Sequence, residues 1–213
     1  VVGGEEGFAR HDAGAGERVI VEFVSANPTG PLHAGHGRGA CFGDSVARLY
    51  ERIGHPVQRE FYINDRGTQM QLYAESLAAR AAGDEVPDGG YNGQYIVDWA
   101  AAMPDDADPL EWGYARALAD QREVLESLHI RFDTWFSERS MIGSGAVDAT
   151  LADLRAADAV YDEEGAVWLR SSDHGDDKDR VLVKSDGEFT YLLPDVAYHR
   201  DKFARADRLV NVL

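Results

Sequence analysis

The chain has 213 residues, 44% of them hydrophobic and 28% charged, and its 21 basic and 38 acidic side chains leave a net charge of −17. That length suits one sizeable domain, or a domain with an insertion; no stretch reaches the ~18 apolar residues of a membrane span, and Val1 to Gly16 lacks the basic-then-apolar order of a secretory signal. A single cysteine, Cys41, excludes an internal disulfide and a Cys-rich zinc site and reads as a small core residue, while the acidic balance denies a global footprint for polyanions without excluding local contacts.

Residues 1–17 are rich in Gly, Ala and Glu without periodicity and read as a linker or severed tail. Arg18 to Phe23 is a short β-branched run that predicts a buried strand. After the turn Asn27-Pro28-Thr29-Gly30-Pro31, the spacing of Ala40, Val46, Leu49, Tyr50 and Ile53 predicts a helix over 37–53, ended by Gly54. Val57 to Ile63 alternates as a second strand, and Asn64-Asp65 reads as the cap of a helix reaching Ala82. Residues 83–93 read as a loop. Helices are predicted over 94–102, 110–129 and 145–156, with a strand at Phe132 to Phe136. Ala159 to Arg170 and Arg180 to Leu193 read as strand pairs, the second turned at Asp186-Gly187. Asp195 to Ala206 is expected to be helical, with Asp195 well placed as its N-cap, and Arg208 to Leu213 to begin a strand in which the chain breaks off, C-terminally truncated.

Strand, helix, strand and helix within residues 18–82 make a βαβ unit, so the expected fold is α/β. It is a Rossmann-like, doubly wound parallel sheet with a mixed helical and β-hairpin insertion over 83–178 and a return to the sheet over 179–213. Its ligand belongs at the carboxyl end of the first strand, against the first helix N-terminus.

At that junction lies His33-Ala34-Gly35-His36. Gly35 lets backbone and ligand approach closely, and two histidines three apart at a helix start can face one ligand. Exposed helix N–H groups and imidazole donors suit phosphate oxygens and could stabilise charge building on an α-phosphate. Other readings compete. His-x-x-His can be half a metal site, but no Cys, His or acidic partner is close in sequence. Two histidines can be merely structural at a cap. Gly35-His36-Gly37-Arg38-Gly39 lacks the third glycine of a dinucleotide fingerprint, and no Gly-x-x-x-x-Gly-Lys loop is present.

His33-Ala34-Gly35-His36 resembles the first signature of class I aminoacyl-tRNA synthetases, and Val21-Glu22-Phe23-Val24-Ser25-Ala26-Asn27-Pro28-Thr29-Gly30-Pro31-Leu32-His33 resembles the arginyl-tRNA synthetase family in particular. Further matches follow in the family's order. They are Phe61-Tyr62-Ile63-Asn64-Asp65, Tyr91-Asn92-Gly93-Gln94-Tyr95-Ile96, Lys178 to Gly187, Thr190-Tyr191 and Asp195-Val196-Ala197-Tyr198-His199. Together they identify residues 18–213 as similar to that catalytic domain.

The resemblance implies that His33 and His36 contact ATP phosphates while Gly35 leaves room for the nucleotide. It matches Glu22 and Asn27 to positions holding the α-amino and carboxylate ends of arginine, and Tyr191 and Asp195 to the pair reading the guanidinium. The chemistry suits a planar, permanently charged fork facing a carboxylate. Lysine would leave that fork unmet, and citrulline would leave the carboxylate unpaired. Read without the family, Glu22 is an edge charge, Asn27 a turn residue and Tyr191 a core position of an alternating strand. Two departures stand out. Leu193-Pro194 replaces the usual Thr-Arg, and Gly30 stands where relatives lacking the second-signature lysine carry a lysine, which implies a lysine-bearing loop downstream.

The implied reaction is ATP-dependent formation of arginyl-adenylate and transfer to tRNA(Arg), with Mg²⁺ carried on the nucleotide phosphates and no protein-held metal. The implied setting is a cytoplasmic enzyme, monomeric at full length, with tRNA gripped mostly by domains outside these 213 residues, so that this piece alone is expected to be inactive. The alternatives are another nucleotidyltransferase bearing His-x-Gly-His and a non-enzymatic arginine- or nucleotide-binding module. The first would not need the set Glu22, Asn27, Tyr191 and Asp195, and the residues following Leu213 discriminate both, since an aspartate-histidine adenosine-site motif and a lysine loop there favour the enzyme.

Overall fold

A computed structural model describes residues 11–212. Residues 1–10 of the expected tail, and Leu213 of the last expected strand, lie outside the described residues. The elements run β1 (Val19–Glu22), α1 (Ala34–Arg52), β2 (Val57–Ile63), α2 (Gly67–Ala82), α3 (Gln94–Ala102), α4 (Pro109–Ser127), β3 (Thr134–Ser137), α5 (Glu138–Gly143), α6 (Ala146–Ala156), β4 (Val160–Glu163), β5 (Ala166–Leu169), β6 (Arg180–Val183), α7 (Leu192–Arg205) and β7 (Arg208–Asn211). They form two compact units. One runs to Ser137 and takes in β7; the other is Glu138–Asp207. No helix among the described residues is long and apolar enough to cross a membrane.

In the first unit the sheet order is β3-β2-β1-β7, and every pairing is parallel. Successive strands step away from β1 on one side while β7 joins its other side. That reversal opens a crevice outside the carboxyl ends of β1 and β7, where α/β sheets bind ligands. β1 is buried at Val19, Ile20 and Val21, as a central parallel strand requires. The core joins Val19, Val21, Phe23, Phe61 and Ile63 of the sheet side to Ala40 and Ala47 of α1, with Leu125 and Ile130 closing it. A second cluster, Met70, Tyr73, Leu77, Ile96, Trp99, Ala100 and Ala117, binds α2, α3 and α4 together. The expected 83–178 insertion is thus divided: α3 and α4 pack in the first unit, and α5 to β5 lie in the second.

Several local expectations are corrected. α1 starts at Ala34 rather than 37 because a histidine caps it. Its buried face is Ala40, Gly43, Asp44 and Ala47, whereas Leu49 is 66% and Ile53 39% exposed. Cys41 is exposed rather than core. Asp65 does not cap α2: Arg66 takes that position with no side-chain bond, and buried Asp65 accepts from Ser137 Oγ at 2.6 Å. Glu17, in the stretch read as linker, pairs with Arg208 of β7 at 3.1 Å, and His11 N–H donates to the Arg52 carbonyl.

In the second unit β4, β5 and β6 form an antiparallel sheet. The Asp186-Gly187 turn is present, with Gly187 at φ 87°, but the returning chain forms no ladder with β6: a Val183–Phe189 bridge and the Thr190 N–H to the Leu182 carbonyl at 2.9 Å join them. The returning strand is cut short because α7 begins at Leu192. Tyr191 occupies the N-cap position of α7 and Asp195 falls inside its first turn, so Asp195 is not the cap. Pro194 is tolerated there because a first-turn N–H has no helical partner to lose. Leu193 is fully buried, which gives the Leu193-Pro194 departure a packing role.

Candidate functional site

The chain leaves β1 through a strained corner. Val24 has φ 68° and Ser25 φ 46°, and Ser25 N–H donates to the Phe23 carbonyl at 3.0 Å. That i to i+2 bond around a left-handed residue is a γ-turn. It costs on the order of 1–3 kcal/mol at a β-branched residue, and the surroundings must over-determine it. They do so through one hydroxyl. Ser25 Oγ donates to Glu22 Oε1 at 2.9 Å and accepts the Tyr62 N–H of β2 at 3.1 Å. Glu22 is thereby held at the strand end, half-buried. Sequence reading did not single out Ser25, since a serine after a strand carries no local signal of this bracket.

Next comes the loop Asn27–Gly30. Asn27 is exposed, Thr29 is buried, and the Tyr95 hydroxyl donates to the Thr29 carbonyl at 3.0 Å. Burial, and then neighbouring Tyr91, pushes the Tyr95 hydroxyl up to about 12, so it stays a neutral donor. A Cβ at Gly30 would lie 2.9 Å from the Tyr95 ring, which explains the absence of a side chain at that position. The motif Tyr91 to Ile96 thus has two local jobs: Tyr95 reaches this loop, and Ile96 fills the helical core.

His33 is the N-cap of α1, and the cap is reciprocal. His33 Nδ1 accepts the N–H groups of Gly35 at 3.1 Å and His36 at 3.4 Å, while His36 Nδ1 accepts the His33 N–H at 3.2 Å. This is a capping box made of two histidines instead of Ser/Thr and Glu/Gln. The rings stack at 3.7 Å between centroids. Because both Nδ1 atoms accept from backbone N–H groups, both rings carry their proton on Nε2. The sequence alone suggests open helix N–H groups as phosphate donors. Those of Gly35 and His36 are already taken by His33, which leaves the Nε2–H groups as the side-chain donors.

Burial, and then the charge of His33, lower the His36 pKa below its ordinary 6.5. A base depressed in the fold resists protonation there. Its contribution is therefore complete above pH 6.5 and drains as the pH falls through 6.5 and the lower folded value. The thermal midpoint of the chain should fall more steeply below about pH 6.5 than that of His36→Gln, which keeps a box acceptor but does not titrate. Parallel slopes in a pH series of melts would remove His36 from this role.

Two clefts flank the histidines. One of about 420 Å³ is lined by Ser25, Asn27, His33, His36, Tyr95 and Gln121 among others. The other, about 520 Å³, sits at the β1 and β7 ends against α1, with Val24, Gly35, His36, Phe42 and Asn211 in its walls. Glu22 reaches the first cleft's wall through Ser25. Tyr191 and Asp195 belong to the second unit. Tyr191 is 87% exposed rather than a core residue, and exposed Asp195 lies 3.2 Å from His199 Nδ1. In the Lys178 to Gly187 motif, Asp179 accepts from Ser172 N–H and Oγ and from Tyr161 Oη, which hold its carboxyl below the usual range and order the turn Ser171–His174.

Comparison with known proteins bears on the family and the fold. Residues 5–87 match the family model described as tRNA synthetases class I (R), catalytic domain. The arginine–tRNA ligase of Shouchella clausii is 44% identical over 98% of this chain and 41% of its own length, and that of Bacillus subtilis 44% identical over 97% and 41%. A solved structure from Campylobacter jejuni, assigned as an arginyl-tRNA synthetase, superposes with TM-score 0.86 at 37% identity, covering 97% of this chain and 49% of that one. The arginyl-tRNA synthetase of Thermus thermophilus gives 0.66 at 27% identity, covering 91% and 37%. The chain spans about two-fifths of the length of the curated relatives it matches.

Proposed function

We propose, because the chain belongs to the arginyl-tRNA synthetase family, that it carries part of a site activating arginine with ATP and passing it to tRNA(Arg). The observation that supports this most is the reciprocal histidine cap, which spends both Nδ1 atoms on the helix start and leaves the Nε2–H groups as donors on two imidazoles that line one cleft. His33 and His36 serve as phosphate donors that stabilise charge developing on the α-phosphate. Gly35, exposed and without a side chain, leaves room for the nucleotide. Glu22 and Asn27 hold the α-amino and carboxylate ends of the amino acid. For Tyr191 and Asp195, reading of the guanidinium rests on the motif match and on the fit of a carboxylate to a planar fork. The residues fit a triphosphate, since they offer hydrogen-bond donors and no carboxylate cage; Mg²⁺ bound to the phosphates would supply charge neutralisation. The work left to the protein is positioning, with no protein nucleophile.

The same reading places the enzyme in the cytoplasm as a monomer, with further tRNA contacts and the second-signature lysine outside these 213 residues. Its test is pyrophosphate exchange into ATP, dependent on L-arginine and tRNA. The assay compares the chain alone with a chimera in which residues 18–213 replace the matching segment of the Bacillus subtilis ligase. Exchange by the chimera and none by the chain alone is expected. A folded chimera that is inactive beside its active parent would overturn the assignment, and sustained exchange by the 213 residues alone would overturn the expected inactivity.

A further inference from the structure

One amide grips the Asn27–Gly30 loop from the helical side. Gln121 of α4 is fully buried, and its Nε2 donates to the Asn27 and Gly30 carbonyls, each at 3.0 Å. Both N–H groups of that amide are thereby spent on one loop. Tyr95 Oη answers the Thr29 carbonyl between them, so two side chains remote in sequence meet three of the four loop carbonyls. The Gln121 Oε1 atom is buried and accepts no hydrogen bond from the described residues. An unmet buried acceptor lowers stability, and an apolar residue of similar volume would avoid that. What the glutamine contributes is the fixed course of the loop rather than a net gain for the core.

We propose that Gln121 is a positioning residue, acting through the Asn27–Gly30 carbonyls to hold Asn27 and the approach to the His33 cap. Its bearing on catalysis rests on the reading proposed above; its bearing on the loop does not. Glutamate keeps the shape but offers no donor, and leucine keeps the volume but offers neither. Tyr73→Phe is the control, because it removes another buried side-chain bond to a carbonyl, Tyr73 Oη to Gly113 at 3.1 Å, away from the loop.

Backbone hydrogen exchange in the ligand-free chain decides the matter. Gln121→Leu and Gln121→Glu should each speed exchange of the amides between Ala26 and Leu32 about tenfold or more, while β1, β2 and mid-α1 keep their rates. Tyr73→Phe should leave the loop unchanged, and Tyr95→Phe, a milder cut that spares Gln121, should loosen it by less. An unchanged loop in both Gln121 variants, or a uniform rise across the first unit, would overturn the proposal. In the active chimera, Gln121→Leu should raise the KM for L-arginine more than that for ATP. Equal shifts there would refute the catalytic role alone, and an inactive parent chimera would count against the synthetase reading instead.

Discussion

Gly43→Ala should destabilise the first unit by about 1–3 kcal/mol, although alanine is the better helix former by about 1 kcal/mol. The reason is distance. A Cβ at Gly43 would lie 2.2 Å from Phe23 Cγ and 2.5 Å from Phe23 Cβ, far inside van der Waals contact. Phe23 has nowhere to go: it is fully buried, its N–H is bonded to Glu60 of β2, and its ring packs on Phe132 at 4.4 Å. The small face Ala40-Gly43-Ala47 lets α1 lie close on β1. The same close approach brings the His33 cap beside the β1 end. Gly37→Ala is the matched comparison. It is the same change in the same helix, six residues earlier, with nothing within 4 Å of the added methyl. It should stabilise by up to about 1 kcal/mol. Urea unfolding followed by far-UV circular dichroism reads both changes. A Gly43→Ala midpoint at or above wild type would show that the α1–β1 contact can open without cost.

Much of this architecture was legible because its signals are local. β2 runs over Val57–Ile63 as read, since alternation and flanking turns both lie within the segment. Gly54 ends α1 from the C′ position at φ 96°, as glycine after a helix should. The misreadings share a cause, which is tertiary contact overriding a local cue. Asp65 looks like a cap and is instead recruited by Ser137, 72 residues away. Leu49 and Ile53 match helical spacing yet face outward, because the face of α1 centred on Ala40, Gly43 and Ala47, flanked by Val46 and Tyr50, is the one packed on the core. At the candidate site, motif resemblance pointed to His33, Gly35, His36, Glu22 and Asn27. It gave no hint of the hydroxyl that brackets Glu22 or the amide that grips Asn27. Gln121 carries no motif of its own, and its partners are carbonyls of a loop 91 to 94 residues away.

The double change His33→Ser with His36→Gln should separate what the histidines do for the fold from what they do for chemistry. In α1 they form a capping box with the same spacing as Ser-x-x-Gln. Serine is among the best N-caps, so the substituted helix start should be as stable as wild type or better by about 0.5–1 kcal/mol. It should also lose the dependence on His36 protonation below pH 6.5. Both imidazole Nε2–H donors are lost, and the glutamine amide leaves an N–H at position 36 only on a different, unstacked side chain. Removing a single preorganised donor from developing charge typically slows turnover by about 10²–10³-fold. Losing two should bring arginine-dependent pyrophosphate exchange in the chimera to that level or below, while its melting midpoint holds. Alanine at either position could not decide the question, because it would remove cap and donor together. A stable Ser/Gln variant that retains exchange within about tenfold would mean that the imidazole Nε2–H donors are dispensable and the histidines serve as caps. A variant inactive and unfolded would mean that the stacked rings, and not their Nδ1 acceptors, hold the helix start. The expected outcome, a stable fold without exchange, would assign the Nδ1 atoms to the helix and the Nε2 atoms to the nucleotide.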